Sequence, residues 1–248
     1  MIDLSKLDRP PAGFATCVEC AYRDTGSAPI CFACASEHTE PLAAARCGVC
    51  GQALPAGGRC GNPVCHFDDR YFRRVWAISM RTGQMRAAIS RYKYEGKWGW
   101  AAILGRILVG FLGEHQEVFG AYDLITPSPT YIGPGSQRAF DHTRRIVEAA
   151  EIEEPIAWAF AYDLVTKTAA TEPMVGHTWR ERKAIAEGQL RAALSITNAA
   201  AVAGKRIVIV DDVFTEGFTI REVARSLILA GAAEVSEVVL AREPWKGE

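Results

Sequence analysis

The sharpest pattern of apolar and polar positions lies toward the end of the chain, where residues 206–220 read RIVIVDDVFTEGFTI. Ile207 to Val210 form a short β-branched run of the kind buried on both faces in a parallel sheet. The run gives way to adjacent carboxylates, Asp211 and Asp212, then to Thr215, Glu216, Gly217 and Thr219, and then to a helical pattern, REVARSLILAGA. Similar alternation recurs upstream. RRVWAIS predicts a strand, Gly83–Tyr94 a helix ended by the turn at Glu95-Gly96, and residues 100–113 a strongly apolar helix. Asp123 to Thr126 predicts a strand stopped by Pro127 and Pro129, TRRIVEAAEI a helix, Tyr162 to Val165 a short strand and VSEVVLAR (235–242) a final one. Strands alternating with helices predict an α/β fold with a mainly parallel sheet flanked by helices. Residues 167–190 are polar and without strong periodicity, the place for a mobile lid over a phosphate-rich substrate.

A strand, an acidic pair, a Gly/Thr loop and a helix start together make a site for polyols and phosphates. Loop N–H groups and the helix dipole hold a phosphate, and the hydroxyls of Thr215 and Thr219 add donors. The two carboxylates stand where they accept hydrogen bonds from ribose hydroxyls, directly or through Mg2+. The segment resembles the PRPP-binding motif of type I phosphoribosyltransferases: four apolar residues, Asp-Asp, two apolar residues, then Thr-Thr-Gly-x-Thr. Glu216 departs from it, standing where Thr or Ser is usual. A carboxylate in a phosphate cradle repels the ligand unless its side chain points away.

Composition narrows the class. Of 248 residues 49% are apolar, and the net charge of −1 gives no strong overall field toward nucleic acid or membrane. The opening MIDLSKLDRPPAG has no basic stretch followed by an apolar core, so no signal peptide is expected. WAAILGRILVGFLG is too short, and interrupted by Arg106, to be a membrane span. A cytoplasmic protein is expected. All eight cysteines fall within residues 17–65: Cys17-x-x-Cys20, Cys31-x-x-Cys34, Cys47-x-x-Cys50 and the wider pair Cys60 and Cys65. A C-x-x-C turn places two thiolates at neighbouring corners of a tetrahedral Zn2+. Three such pairs and the wider fourth predict two structural zinc ions with four cysteine ligands each, in a small Cys-rich module that needs metal to fold. Pairing is either sequential (Cys17, Cys20, Cys31 and Cys34 on one ion) or crossed. The wide last spacing leaves His66 as an alternative to Cys65, and His38 reads as a surface residue.

Residues 71–100, YFRRVWAISMRTGQMRAAISRYKYEGKWGW, are lopsided in charge. Arg73, Arg74, Arg81, Arg86, Arg91, Lys93 and Lys97 face only Glu95, with Tyr71, Phe72, Trp76, Tyr92, Tyr94, Trp98 and Trp100 among them. Basic residues among aromatics suit a surface that binds single-stranded nucleic acid. A solvated helix face backed by core aromatics is the other reading.

Over nearly its whole length the chain resembles the ComF-like proteins of the GntX/ComFC type, competence-associated phosphoribosyltransferases. The resemblance rests on the multi-C-x-x-C head, Tyr92-Lys93-Tyr94-Glu95-Gly96, Pro127-Ser128-Pro129, Arg138-Ala139-Phe140-Asp141-His142 and the Asp211–Thr219 motif, in that order. Lys167, Thr171 and Met174 match the spacing of that family's Arg-x3-Thr-x2-Gln element, and Glu181-Arg182 with Gly188 a further one, with Ile185 in place of an Asn. The resemblance implies a Cys-rich zinc-binding module at 1–70 and a type I phosphoribosyltransferase domain at 71–248. It implies that Asp211 and Asp212 hold the ribose of PRPP, directly or through Mg2+, and that Val213, Thr215, Glu216, Gly217, Phe218 and Thr219 form the phosphate loop. Lys167 then contacts pyrophosphate and Arg182 belongs to the lid. Two functions follow: transfer of phosphoribosyl from PRPP to an unidentified acceptor, or a non-catalytic zinc-containing protein that handles nucleic acid beside DNA-uptake or repair proteins. Intact Asp211, Asp212, Thr215, Gly217 and Thr219 favour the first.

Overall fold

The computed structural model describes residues 39–55, 58–136 and 138–244, the side chain of Gln84 excepted. Four strands form the main sheet: β1 (Val75–Met80), β2 (Leu124–Pro127), β5 (Arg206–Phe214) and β6 (Glu234–Arg242), in the order β1-β6-β5-β2, with every neighbouring pair parallel. Parallel strands require crossovers. Helices α1 (Gly83–Tyr94), α2 (Trp100–Glu114) and α3 (His142–Glu153) supply them on one side of β1 and β2, and α5 (Phe218–Leu229) links β5 to β6.

Helices on both faces bury the sheet twice over. On one face Val208, Val210, Val238 and Leu240 pack with Ile103, Leu104 and Leu108 of α2 and with Ile146 and Val147 of α3. On the other, Ile207, Ile209, Val235 and Val239 pack with Val223, Ala224 and Leu227 of α5. Helices α2 and α3 approach closely because Gly105 has no side chain: a Cβ there would lie 2.8 Å from Ala149 and from the backbone of Ala150. Arg106, within the apolar run of α2, is buried and ion-paired to Glu153.

Three expectations need correction. The apolar run ends at the carboxylates, but the strand does not. It continues through Asp211 and Asp212 to Phe214 because β6 keeps pairing with it, Asp211 opposite Val239 and Phe214 opposite Arg242. The short strand near residue 165 is β3 (Val165–Lys167), later than expected. It lies outside the main sheet and pairs antiparallel with β4 (Leu194–Ile196). The 167–190 stretch is an irregular loop only as far as Thr178. Helix α4 (Trp179–Ile185) and a π-turn at Ala186–Leu190 follow it. The signal was present in the sequence as a capping box, in which Thr178 Oγ1 accepts from the Glu181 N–H and Glu181 accepts from the Thr178 N–H.

Residues 39–70 pack on the same body. Val75 N–H donates to Val49 O at 2.7 Å and Met80 N–H to Glu40 O at 2.9 Å, covering β1, an edge strand of the sheet. Among the described residues no helix is long and apolar enough to cross a membrane.

Candidate active site

The site begins with the pleat of β5. Successive side chains of a strand leave it in opposite directions, so the two adjacent carboxylates have different neighbours. Asp212, on the face of Val208 and Val210, is buried and meets two nitrogens at one oxygen: Lys93 Nζ at 2.6 Å and His142 Nε2 at 3.2 Å. Lys93 comes from the last turn of α1, and His142 is the first residue of α3. Asp141 caps α3 by accepting from the Arg144 N–H, and the buried hydroxyl of Tyr92 donates to His142 O at 2.7 Å. Asp141 and Tyr92 therefore fix the start of α3 and with it the placement of His142 beside Asp212.

Burial favours protonation of Asp212, but Lys93 and then His142 outweigh it and hold the carboxyl well below the usual carboxylate range. Asp211 differs. Half-buried and without a cation in contact, it is pushed up to about 6 by burial and by the charge of Asp212. The oxygens of both and a ring nitrogen of His142 converge within 4.8 Å, a group able to hold a divalent cation. Glu237, buried on the next strand, is pushed well above its ordinary range by burial and by the two aspartates.

A cleft of about 550 Å3 opens over the carboxyl ends of β2 and β5, where ligands sit in open α/β sheets. Asp211, Asp212, Val213 and Thr219 line one side. Lys93, Ser128, Thr130, Arg138 and His142 line another, and Lys167 and Thr171 a third. Lys167 donates to Thr171 Oγ1 at 2.7 Å and is lowered below its ordinary range by burial and then by the charge of Arg138. Arg138 lies over the Tyr94 ring, 4.6 Å from its centre, and its Nη1 is buried without a hydrogen-bond partner.

After β5 the chain turns at Thr215–Gly217 into α5. Gly217 has φ +95°, a conformation that suits glycine, and a Cβ there would lie 2.7 Å from the ring of Phe214. Thr215 is exposed, while Phe218 is buried beneath the loop. Glu216 turns sideways to Arg182 on α4, Nη1 to Oε1 at 3.1 Å, so a cation offsets its charge. Asp211, Asp212, Lys167 and Thr219 thus share one cleft. Arg182 reaches the loop from α4, and with Asp211, Thr215, Glu216, Gly217 and Thr219 it lines a smaller cavity of about 60 Å3. Lys93, Arg138 and His142 were not singled out as site residues. Lys93 was legible only as one charge among many, because its role depends on where α1 ends.

That placement breaks up the basic-aromatic surface expected of 71–100. Phe72, Tyr92 and Trp100 are buried, Lys93 turns inward, Arg73 pairs with Glu234 and Arg81 with Glu243. Arg74 lies over Trp76 at 3.8 Å. Tyr94, Lys97 and Trp98 remain exposed.

Cys47, Cys50, Cys60 and Cys65 form a second centre. Sulfur–sulfur distances are 3.6 Å for Cys50–Cys60, 3.8 Å for Cys60–Cys65 and 3.9 Å for Cys47–Cys65. A tetrahedron with Zn–S bonds of about 2.3 Å has edges of about 3.8 Å, so the four thiols fit the ion. Hydrogen bonding from Cys65 and, against burial, the charge of Arg242 lower Cys50 to about 5, whereas burial pushes Cys60 up to about 12. His66 is not in the cluster: its Nε2 lies 2.6 Å from Cys60 O. Cys17, Cys20, Cys31, Cys34 and His38 lie outside the described residues.

Residues 157–248 match the family model of the phosphoribosyl transferase domain. No curated protein matches the chain. Among solved structures the chain is similar to a purine phosphoribosyltransferase from Pyrococcus horikoshii Ot3, at 18% identity over 60% of this chain and 77% of that one, TM-score 0.35. It is similar too to a hypoxanthine phosphoribosyltransferase from Staphylococcus aureus, at 9% identity over 57% of this chain and 64% of that one, TM-score 0.35. These superpositions are too loose to bear on residue roles. The domain match over residues 157–248 and the parallel sheet define the class: the fold is that of the type I phosphoribosyltransferases.

Proposed function

We propose that the protein transfers a phosphoribosyl group from PRPP, in the manner of the ComF-like proteins it resembles, to a nitrogen nucleophile not yet identified. One arrangement carries the reading: an acidic pair near the end of β5, then a loop turned by Gly217 into the start of α5, beside a cleft that Lys167 and Arg138 also line. In the transfer, the C1–O bond to pyrophosphate breaks as a C1–N bond forms, and the acceptor nitrogen loses a proton.

The residues divide the ligand between them. Loop amides at Thr215–Thr219 and the hydroxyls of Thr215 and Thr219 take the 5′-phosphate. Asp211 and Asp212 face the ribose. Lys167, with no carboxylate in contact, and Arg138, with its unpartnered Nη1, take the pyrophosphate. Mg2+ would be held by Asp211 with Asp212 and would neutralise part of the pyrophosphate charge. Lys93 and His142 keep Asp212 ionised and fixed in place, so the transition state, which has oxocarbenium character, meets preorganised charge. Arg182 removes the objection to Glu216 by pairing with it at the loop's edge. Zinc belongs to the Cys47, Cys50, Cys60 and Cys65 cluster as a structural ion.

Titration calorimetry of PRPP with Mg2+ tests the reading, with Asp211→Asn/Asp212→Asn as control. Micromolar binding that the control loses is expected. Absence of binding by the folded wild type would overturn it and turn attention to the nucleic-acid alternative.

A further inference from the structure

We infer that Asn62 is a positioning residue that couples the cysteine cluster to the phosphate loop, so that filling the metal site orders the loop; the inference rests on the assignment of residues 213–219 as that loop. Asn62 lies between Cys60 and Cys65 and is fully buried. Its side-chain amide is used at both ends. Oδ1 accepts from Val64 N–H at 3.2 Å, capping the single 3-10 turn Pro63–His66 that carries Cys65. Nδ2 donates to Glu216 O at 3.0 Å, across 154 positions of sequence. The backbone N–H of Asn62 points to the thiol of Cys60. One residue thus touches two arms of the cluster and the middle of the loop.

The geometry of a peptide unit gives this contact its consequence. In a trans peptide C=O and N–H point in opposite directions. Holding Glu216 O against Asn62 therefore aims the Gly217 N–H away from the cysteine cluster. Glycine makes such a tie necessary, since Gly217 at φ +95° has a backbone that reorients at small cost. A second tie lies at the start of the loop. Arg242, also buried, donates from Nε to Cys50 O at 3.0 Å and from Nη1 to Phe214 O at 3.4 Å, with its guanidinium over the Phe214 ring at 4.8 Å. Phe214 is the surface on which Gly217 rests. Both ends of Phe214–Gly217 are therefore hung from the backbone and side chains that place the four thiols.

Asn62→Asp in the full chain separates this role from a merely structural one. Aspartate keeps the acceptor for Val64 N–H and nearly the same volume, and replaces the donor to Glu216 O with a carboxylate oxygen that repels it. With zinc content and unfolding temperature near wild type, amide exchange without ligand should be about tenfold faster in 214–219 and unchanged in α2. Ribose 5-phosphate should bind about tenfold more weakly, and inorganic pyrophosphate, which does not use the loop, as before. Unchanged loop exchange at full zinc overturns the proposal. If Asn62→Asp loses its zinc, the chelator-stripped wild type replaces it: loop exchange must then rise while α2 stays protected, and protection of the loop without metal overturns the coupling. A wild type that binds no ribose 5-phosphate would sink the loop's assignment, whereas the exchange measurement still decides the tie.

Discussion

Each aspartate of the pair has its own environment, and their chemistry diverges accordingly. Asp212 is a buried charge compensated by Lys93, whose side chain is itself largely covered. Removing one partner of such a pair leaves an uncompensated charge in a low-dielectric interior. Lys93→Met should therefore cost about 3 kcal/mol of stability, read as a lowered midpoint in urea, and Lys93→Met/Asp212→Asn should recover much of the loss. Asp211 titrates instead. Its folded-state value is raised to about 6, so it keeps its proton below that pH and offers a carboxylate only above it. Cation-dependent PRPP binding should strengthen as pH rises through about 6, the direction set by gaining a negative ligand, and Asp211→Asn should flatten that part of the profile. Asp212, held below the ordinary carboxylate range, contributes no step there.

At the scale of elements, the loop proposed to hold phosphate is a strand end, a turn and a helix start that share one constraint. Gly217 must be left-handed and must lie against Phe214, so Gly217→Ala meets both a backbone penalty and a contact of 2.7 Å. A loss of about 1–3 kcal/mol is expected, with ribose 5-phosphate binding reduced further than pyrophosphate binding because only the first ligand uses the loop. Calorimetry with each compound separately distinguishes a local defect from general unfolding, which would weaken both. Helix α4 illustrates a different point about elements. Its polar sequence conceals a helix because no apolar stripe runs along it. The capping box at Thr178 and Glu181 marks its start nevertheless, and it carries Arg182 to Glu216.

On the scale of the whole molecule, the Cys-rich segment covers the edge of the sheet at β1 and fastens to the loop after β5 through Asn62 and Arg242. Metal content should follow the thiols: about two zinc ions per chain in the wild type, falling to about one in Cys47→Ser/Cys50→Ser. Elemental analysis checks this, and a wild-type value near one would mean that the earlier cysteines hold no separate ion. The cluster of Cys47, Cys50, Cys60 and Cys65 agrees with sequential pairing for its own four ligands and leaves His66 outside.

Order along the chain is enough to recognise the sheet class, helices α1 and α2, the Asp211–Thr219 motif and the cysteine pairs, because each depends on residues close together in sequence. A β-branched run, a C-x-x-C turn and a glycine before a helix carry their meaning locally. Tertiary structure alone decides the rest. Charges distributed over 71–100 look like a surface until the ends of α1 and α3 bring Lys93 and His142 to one oxygen of Asp212. Glu216 looks like an obstacle until α4 supplies Arg182. Asn62 has no signature in the sequence, since its partner lies 154 positions away and is a backbone oxygen, which every residue possesses. Local propensity is written in neighbouring side chains, whereas charge pairing across a fold depends on which surfaces burial forces together.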